Sequence, residues 1–295
     1  MLRKIRNILL SLLAILTLWV MWSLFSHRLI PNKSSNYSHQ LKVLTYNTQG
    51  LAVSKSIPQK LKMLEYVNQQ DADIVCLQEV LVYKNDKLFN LGELREAMKE
   101  YPYTYYDFKL YNQQRQFGNV VFSRYPLVNK KTIRYKSRAN ISSQCDVIVG
   151  KDTVRLMVNH LESFHLNSED LQLEDIHMSS FAESSLGKKL IHANRLRRQQ
   201  VSALCKAIRQ SPHPVIVVGD LNSLPVSMVY WRLNMGLRDC FAESSFGRYG
   251  GTYRLRGLSA RIDYIFTSRS LTPIACEVGS EEHSDHKPVI GTIGW

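Results

Sequence analysis

The chain has 295 residues, with 38 Lys and Arg against 25 Asp and Glu, a formal net charge of +13 at pH 7. Its apolar and charged fractions, 44% and 21%, are ordinary for a globular protein and exclude a disordered or low-complexity chain; no internal repeat is present. Cys76, Cys145, Cys205, Cys240 and Cys276 form no C-x-x-C pair and no zinc spacing, so buried thiols are expected rather than a disulfide framework or a zinc module.

Arg3, Lys4 and Arg6 precede Ile8–Phe25, an uncharged run of 18 residues rich in Leu, Ile, Val and Trp. That is near the ~20 residues needed to cross a bilayer. Basic residues before the run outnumber those just after it, which places the N-terminus in the cytoplasm and the rest outside. Trp22–Arg28 offers no small-x-small cleavage site. Residues 1–30 are therefore expected to be a basic stub and an uncleaved transmembrane anchor, and 31–40 a polar tether. About 260 residues remain, the upper edge of one α/β domain. That exported body is basic, which suits a polyanionic or phosphorylated substrate or an anionic surface, though solubility alone would also explain the charge.

Leu41–Tyr46 alternates as a strand ending at Asn47, and Ile57, Leu61, Leu64 and Val67 recur at helical spacing behind Pro58. Asp73–Glu79 predicts a second strand, and Leu88–Lys99 a helix. The aromatic stretch Tyr101–Tyr111 reads as half-buried strand rather than a stacking platform. Phe117–Ser123, Ile133–Tyr135, Cys145–Val149 and Val154–Val158 predict further strands, the last leading to Asn159–His160. Glu162–His192 is too long for a structureless loop and is expected to be a helical insertion over the site. Arg195–Arg209 predicts a helix with Leu196, Val201, Leu204 and Ile208 inward. Val215–Val218 is a strand buried on both faces that stops at Gly219, with Asp220 and Asn222 beyond its C-terminal end. Arg261–Phe266 and Val289–Ile293 close the chain as strands, separated by His283–Pro288. Strands alternating with helices, then strands again, predict an α/β sandwich: two packed mixed sheets flanked by helices.

Polar residues gather at predicted strand ends: Asn47, Glu79, His160, Asp220, Asn222, Asp263, Asp285 and His286. In α/β proteins that edge is where ligands bind. Carboxylates with an Asn and water suit Mg²⁺, a hard cation that prefers oxygen. A His286–Asp263 pair would fix a tautomer and raise basicity. Singly, each residue has a plainer reading: Asn47 and Asn222 as turn residues, Glu79 as surface charge, His160 as a core histidine, Asp263 and Asp285 as caps.

Seven pieces in order resemble the endonuclease/exonuclease/phosphatase superfamily over about Leu41 to Trp295. They are Thr45–Thr48, Leu77–Val80, Gly118–Pro126, Asn159–Leu161, Gly219–Ser223, Arg261–Ile265 and Ser284–Pro288. The resemblance implies a four-layer α/β sandwich and a Mg²⁺- or Mn²⁺-dependent phosphodiesterase or phosphatase. By position, it implies that Glu79 is the principal metal ligand, helped by Asn47 and Asp285. Asp220 would orient or deprotonate the water, Asn222 hold a phosphate oxygen, and His286 with Asp263 act as base or phosphate-stabilising cation. His160 would stabilise the phosphoryl group or assist the leaving oxygen; abasic-site endonucleases carry Tyr there, which turns the likeness toward the nuclease, sphingomyelinase and phosphatase branches. The expected protein is a membrane-anchored, monomeric hydrolase of phosphoesters in nucleic acid, phospholipid or sugar phosphate. A non-catalytic anchored binding module is the alternative.

Overall fold

The computed structural model describes residues 36–52, 55–85, 88–135, 137, 140–164, 184–245, 250–255, 258–280 and 282–295. The expected anchor at Ile8–Phe25 and most of the tether lie outside the described residues; among those described, no helix is long and apolar enough to cross a membrane. The strands in chain order are β1 (Gln40–Asn47), β2 (Ile74–Tyr83), β3 (Tyr103–Asn112), β4 (Arg115–Ser123), β5 (Leu127–Arg134), β6 (Ile141–Val149) and β7 (Asp152–His160). They continue as β8 (Val215–Asp220), β9 (Leu237–Asp239), β10 (Tyr253–Leu255), β11 (Leu258–Ala260), β12 (Asp263–Ser268), β13 (Thr272–Val278) and β14 (Val289–Gly294). The helices are α1 (Ile57–Gln69), α2 (Leu91–Ala97), α3 (Ser185–Arg209), α4 (Met228–Asn234) and α5 (Cys240–Ser244).

One sheet has the order β13-β14-β1-β2-β4-β3 and the other β5-β6-β7-β8-β12-β9, with β10 and β11 forming a hairpin. β1 pairs parallel with β2, and β7 with β8, while β14 runs antiparallel to β1 and β12 antiparallel to β8. The two-residue period of the strands sorts their side chains into layers. Leu41 and Val43 of β1 and Ile216 and Val218 of β8 meet between the sheets. Leu44 and Tyr46 turn to the opposite face, under Met63, Leu64 and Val67 of α1. Val215 and Val217 pack under Val201 and Leu204 of α3 and Val229 and Leu233 of α4. Helices, sheet, sheet and helices make the four-layer sandwich that the resemblance implied.

Boundaries shift where capping chemistry outranks periodicity. α2 starts at Leu91 because Asn90 Oδ1 accepts from the amides of Gly92 and Glu93, at 2.8 and 3.1 Å, while Glu93 reaches back to Asn90 N. In α1 the buried face runs through Met63, Leu64 and Val67, and Leu61 is exposed. α3 begins ten residues before the predicted Arg195, capped by Ser184 Oγ on Gly187 N at 3.0 Å, so the end of the expected insertion belongs to this helix. The insertion's first residues, 162–164, are not helical, and residues 165–183 lie outside the described residues. The Arg261–Phe266 strand begins at Asp263. All five cysteines are free and buried, and the aromatic stretch lies along β3, packing Tyr106 against Phe108 and Phe122.

One buried ion pair ties β6 to β7. Arg155 Nε and Nη2 donate to Asp146 at 2.7 and 3.0 Å, and Asn129 Nδ2 adds a bond of 2.9 Å. Burial alone would raise the Asp146 carboxyl, but these donors and the Arg155 charge outweigh it and hold it below its ordinary value. A carboxylate depressed in the folded state stabilises the fold above its unfolded pKa and loses that contribution as pH falls through the folded value. Asp146→Asn is therefore expected to cost about 3 kcal/mol at pH 7. Urea denaturation across pH should show the gap from wild type closing below about pH 4; a gap constant with pH would mean that the carboxylate's charge contributes nothing.

Candidate active site

Strand direction assembles the site. β1 and β2 are parallel, so Asn47 and the end of β2 emerge at one edge; β7 and β8 are parallel, so His160 lies opposite Asp220. β12 runs against β8, which sets its first residue, Asp263, opposite Asp220 from the other side. β14 runs against β1 with Val289 opposite Thr45, and this delivers Ser284–His286 to the same edge. Ser284 Oγ fastens that loop, donating to Asn47 O at 2.9 Å and accepting from His286 N at 3.1 Å. The chain enters β1 from the far edge, where His39 and Trp295 exchange backbone bonds.

Local backbone irregularity aims the side chains. The β2–β4 register shifts between Leu77 and Val80, and inside that bulge Glu79 takes φ 54°. A bulge re-aims a side chain out of the pleat, here into the cleft. Gln49, Leu51 and Asn222 also have positive φ, so four of the six such non-glycine residues among those described border the site. Left-handed backbone costs these residues energy that the surroundings must supply. Gly219, at φ 119°, is dictated by contact: a Cβ there would run into the Asn159 carbonyl on β7.

The polar groups form one network. Asn47 Nδ2 donates to Glu79 Oε1 and to Asp220 Oδ2, both at 3.0 Å. Asp220 Oδ1 accepts from Asn222 N at 2.7 Å, and Oδ2 from Asn222 Nδ2 at 3.1 Å. His286 Nδ1 lies 2.9 Å from Asp263 Oδ2, the expected pair, and its Nε2 lies 3.7 Å from Asp220 Oδ2. His160 Nε2 is 3.1 Å from Glu79 Oε1, yet poorly aligned for a hydrogen bond. Asp220, Asp263, His160 and His286 are buried, whereas the Glu79 side chain is 25% exposed.

Burial disfavours every charge here, and the pairings decide which charges survive. Burial would raise Glu79, but the adjacent His160 charge and the Asn47 amide donor outweigh it and hold the carboxyl at about 2. Burial would lower His286, but Asp263 and Asp220 outweigh it and raise the ring to about 10. His160 is likewise raised, with Glu79 overcoming desolvation. Asp220 moves up, through burial and then the Asp263 charge.

All eight expected residues thus reach one strand edge, in differing roles. Glu79, His160 and Asp220 place donor atoms within 4.8 Å of one another, as do Asp220, Asp263 and His286. Asn47 presents its amide nitrogen to the carboxylates while its oxygen accepts from Gln49 N at 3.0 Å. Asp285 belongs to neither group and accepts from Gln49 Nε2 at 3.1 Å. Arg124 pairs with Asp71 at 2.5 Å beside the start of β2, the far edge, and Arg115 stacks on Tyr83. Sequence reasoning missed Arg197. It is buried and donates to the carbonyls of Glu162 and Asn222 at 3.0 and 2.6 Å and to Asn194 Oδ1 at 2.8 Å, with its guanidinium 3.9 Å from the Phe164 ring centre. Burial lowers it to about 10, so it stays charged at neutral pH. Its only sequence signal was a basic residue on the inward side of a helix.

The sequence profile of the endonuclease/exonuclease/phosphatase family matches residues 44–286. The chain belongs to this family. The match runs from the first of the seven motifs that carried the resemblance into the last of them. Among curated proteins, it is 27% identical over 195 residues to an inositol phosphosphingolipids phospholipase C of Schizosaccharomyces pombe, covering 64% of this chain but 42% of that protein. Among solved structures, an endonuclease/exonuclease/phosphatase from Beutenbergia cavernae aligns with TM-score 0.64 at 17% identity, over 86% of this chain and 71% of that one. Truncated Caenorhabditis elegans TDP2 aligns with TM-score 0.61 at 18% identity, over 88% and 100%. The human Nocturnin catalytic domain gives 0.60 at 18% identity, over 88% and 95%. These structural likenesses show the fold.

The donors fit a hard divalent cation. Glu79 is ionised and faces solvent at the cleft, and burial and the Glu79 charge together raise Asp285, a repulsion that a cation would relieve. Arg197 holds the segment after His160 to the loop after Asp220, so its loss removes the donor that bridges the two carbonyls. Arg197→Met is expected to cost about 3 kcal/mol in chemical denaturation, and Arg197→Lys less; equal stability of Arg197→Met and wild type would remove that role.

Proposed function

We propose that the chain is a membrane-anchored phosphodiesterase whose catalytic domain lies outside the cytoplasm and whose metal is Mg²⁺ or Mn²⁺. The observation that carries the catalytic part is the shared Asp220, which joins the Glu79–His160 group to the Asp263–His286 pair. The anchor rests on the Ile8–Phe25 run and the basic residues before it. Glu79 would hold the metal, with Asp285 beside it and Asn47 fixing the carboxylate. Bound there, the metal would supply Lewis-acid stabilisation of charge on the phosphoryl oxygens. His286, kept protonated by two carboxylates, holds a phosphoryl oxygen as a cation. Asp220, with its carboxyl raised, orients the attacking water and takes its proton. Asn222 donates from its amide to the phosphate, releasing Leu161 O or Asp220 to do so. His160 faces the leaving oxygen.

Nucleic acid is the first reading of the substrate, which the +13 charge suits, and a phospholipid phosphodiester is the second, favoured by the 27% identity to a phosphosphingolipid phospholipase C. Three substrates separate the readings: supercoiled plasmid, a sphingolipid phosphodiester in mixed micelles, and an activated aryl phosphodiester. Hydrolysis is expected to need Mg²⁺, to stop with EDTA, and to fall by at least ~10²-fold in His286→Ala and in Asn222→Ala. Rates unchanged in those variants would remove both residues from the mechanism. Titration calorimetry should show weaker Mg²⁺ binding by folded Glu79→Ala, and equal affinity would place the metal elsewhere.

A further inference from the structure

We propose that the outer faces of α3 and α4 form a docking surface for an anionic lipid bilayer. On α4 and its C-cap, Met228, Trp231 and Met235 fall at i, i+3 and i+7, one side of the helix. That side faces solvent: Met228 is 62% exposed and Met235 68%, with Trp231 exposed between them. Val229, Tyr230 and Leu233 occupy the opposite side, in the core. Exposed Leu224 lies four residues before Met228 and two after Asn222 in the chain, so the loop that carries Asn222 leads directly into this helix. Single exposed apolar residues need no explanation, but a contiguous ridge of large ones marks an interaction surface.

The charge beside the ridge selects the occupant. Arg195, Arg198, Gln199 and Ser202 of α3 and Arg232 of α4 line a groove of about 520 Å³ between the helices. Arg232 Nη1 is fixed there on Ser202 Oγ at 2.7 Å. From Ser184 to Arg238 the sequence holds nine basic residues and one acidic one, Asp220, which is buried in the site. No acidic side chain of α3 or α4 therefore neutralises the groove. Apolar side chains flanked by arginines match the interface of an anionic membrane, where Trp sits at headgroup level and cations meet phosphates. A nucleic acid would leave the methionines against its phosphates, which is why the bilayer is the better match. The ridge and groove need no hydrolysis for their role, so the surface stands apart from the catalytic reading.

The native cysteines are all buried, so Met228→Cys can carry a single environment-sensitive fluorophore. The full chain is reconstituted into vesicles of phosphatidylcholine alone or with phosphatidylglycerol; any N-terminal anchor holds it on both. Docking predicts a blue shift, and quenching by brominated acyl chains, in the phosphatidylglycerol vesicles only, both reversed by salt. Arg195→Gln, Arg198→Gln and Arg232→Gln together should lower the docked-to-free ratio by on the order of 10²-fold, at about fivefold for each arginine near an anionic surface. The same emission in both vesicles would overturn the proposal. So would a shift produced by an added oligonucleotide but not by lipid, or one that rises with protein concentration in detergent alone, which would assign the face to nucleic acid or to a second copy.

Discussion

The structure depends on mutual neutralisation of buried charges along one strand edge. Asp220 and Asp263 sit directly opposite each other on neighbouring strands, an arrangement that is repulsive unless a cation intervenes. His286 is that cation, 2.9 Å from Asp263 and 3.7 Å from Asp220. His160 does the same for Glu79 across the gap between the sheets. Removing either imidazole leaves carboxylates uncompensated in a low-dielectric pocket, which is costlier than losing an exposed charge. The charges of the site are therefore also a condition on how the sheets pack.

That condition explains features with no direct chemical role. Gly219 allows β7 and β8 to approach closely enough for His160 and Asp220 to be register partners. The bulge at Glu79 brings one residue of an otherwise apolar strand into the cleft. Asn119 and Asn159, both in the motifs that carry the family likeness, are buried between strands: Asn119 Nδ2 donates to Ser143 Oγ and Val158 O, and Asn159 Nδ2 to Val218 O. Their work is to hold β4, β6, β7 and β8 together beneath the site.

The outer layers divide the remaining tasks. α1 and α2 cover one sheet, and α3 and α4 cover the other with their apolar sides while presenting arginines and methionines outward. Arg197 turns inward from α3 to the carbonyls beside the site, whereas Arg195 and Arg198 turn outward. One helix thus braces the loops at the site and forms the basic face, because residues one or two apart on a helix point in different directions.

Legible in the chain were the strand-and-helix order as far as β8, the strands β12 and β14, the sandwich, the free cysteines and all eight strand-end polar residues, whereas β9, β10, β11, β13, α4 and α5, mostly short elements, carried no clear periodic signal. The legible features are local or pattern properties: β-branched runs, two-residue and 3.6-residue periods, and ordered motifs. The start of α3, the bounds of α2 and the exposure of Leu61 were not legible, because caps and tertiary contacts override periodicity there. Nor could the sequence pair His160 with Glu79, turn the Asn47 amide nitrogen to the carboxylates, or leave Asp285 outside both groups, since those depend on register between strands distant in the chain. Arg197 read as one cation among 38 Lys and Arg. Only the packed structure, by burying it against two carbonyls, decided what it does.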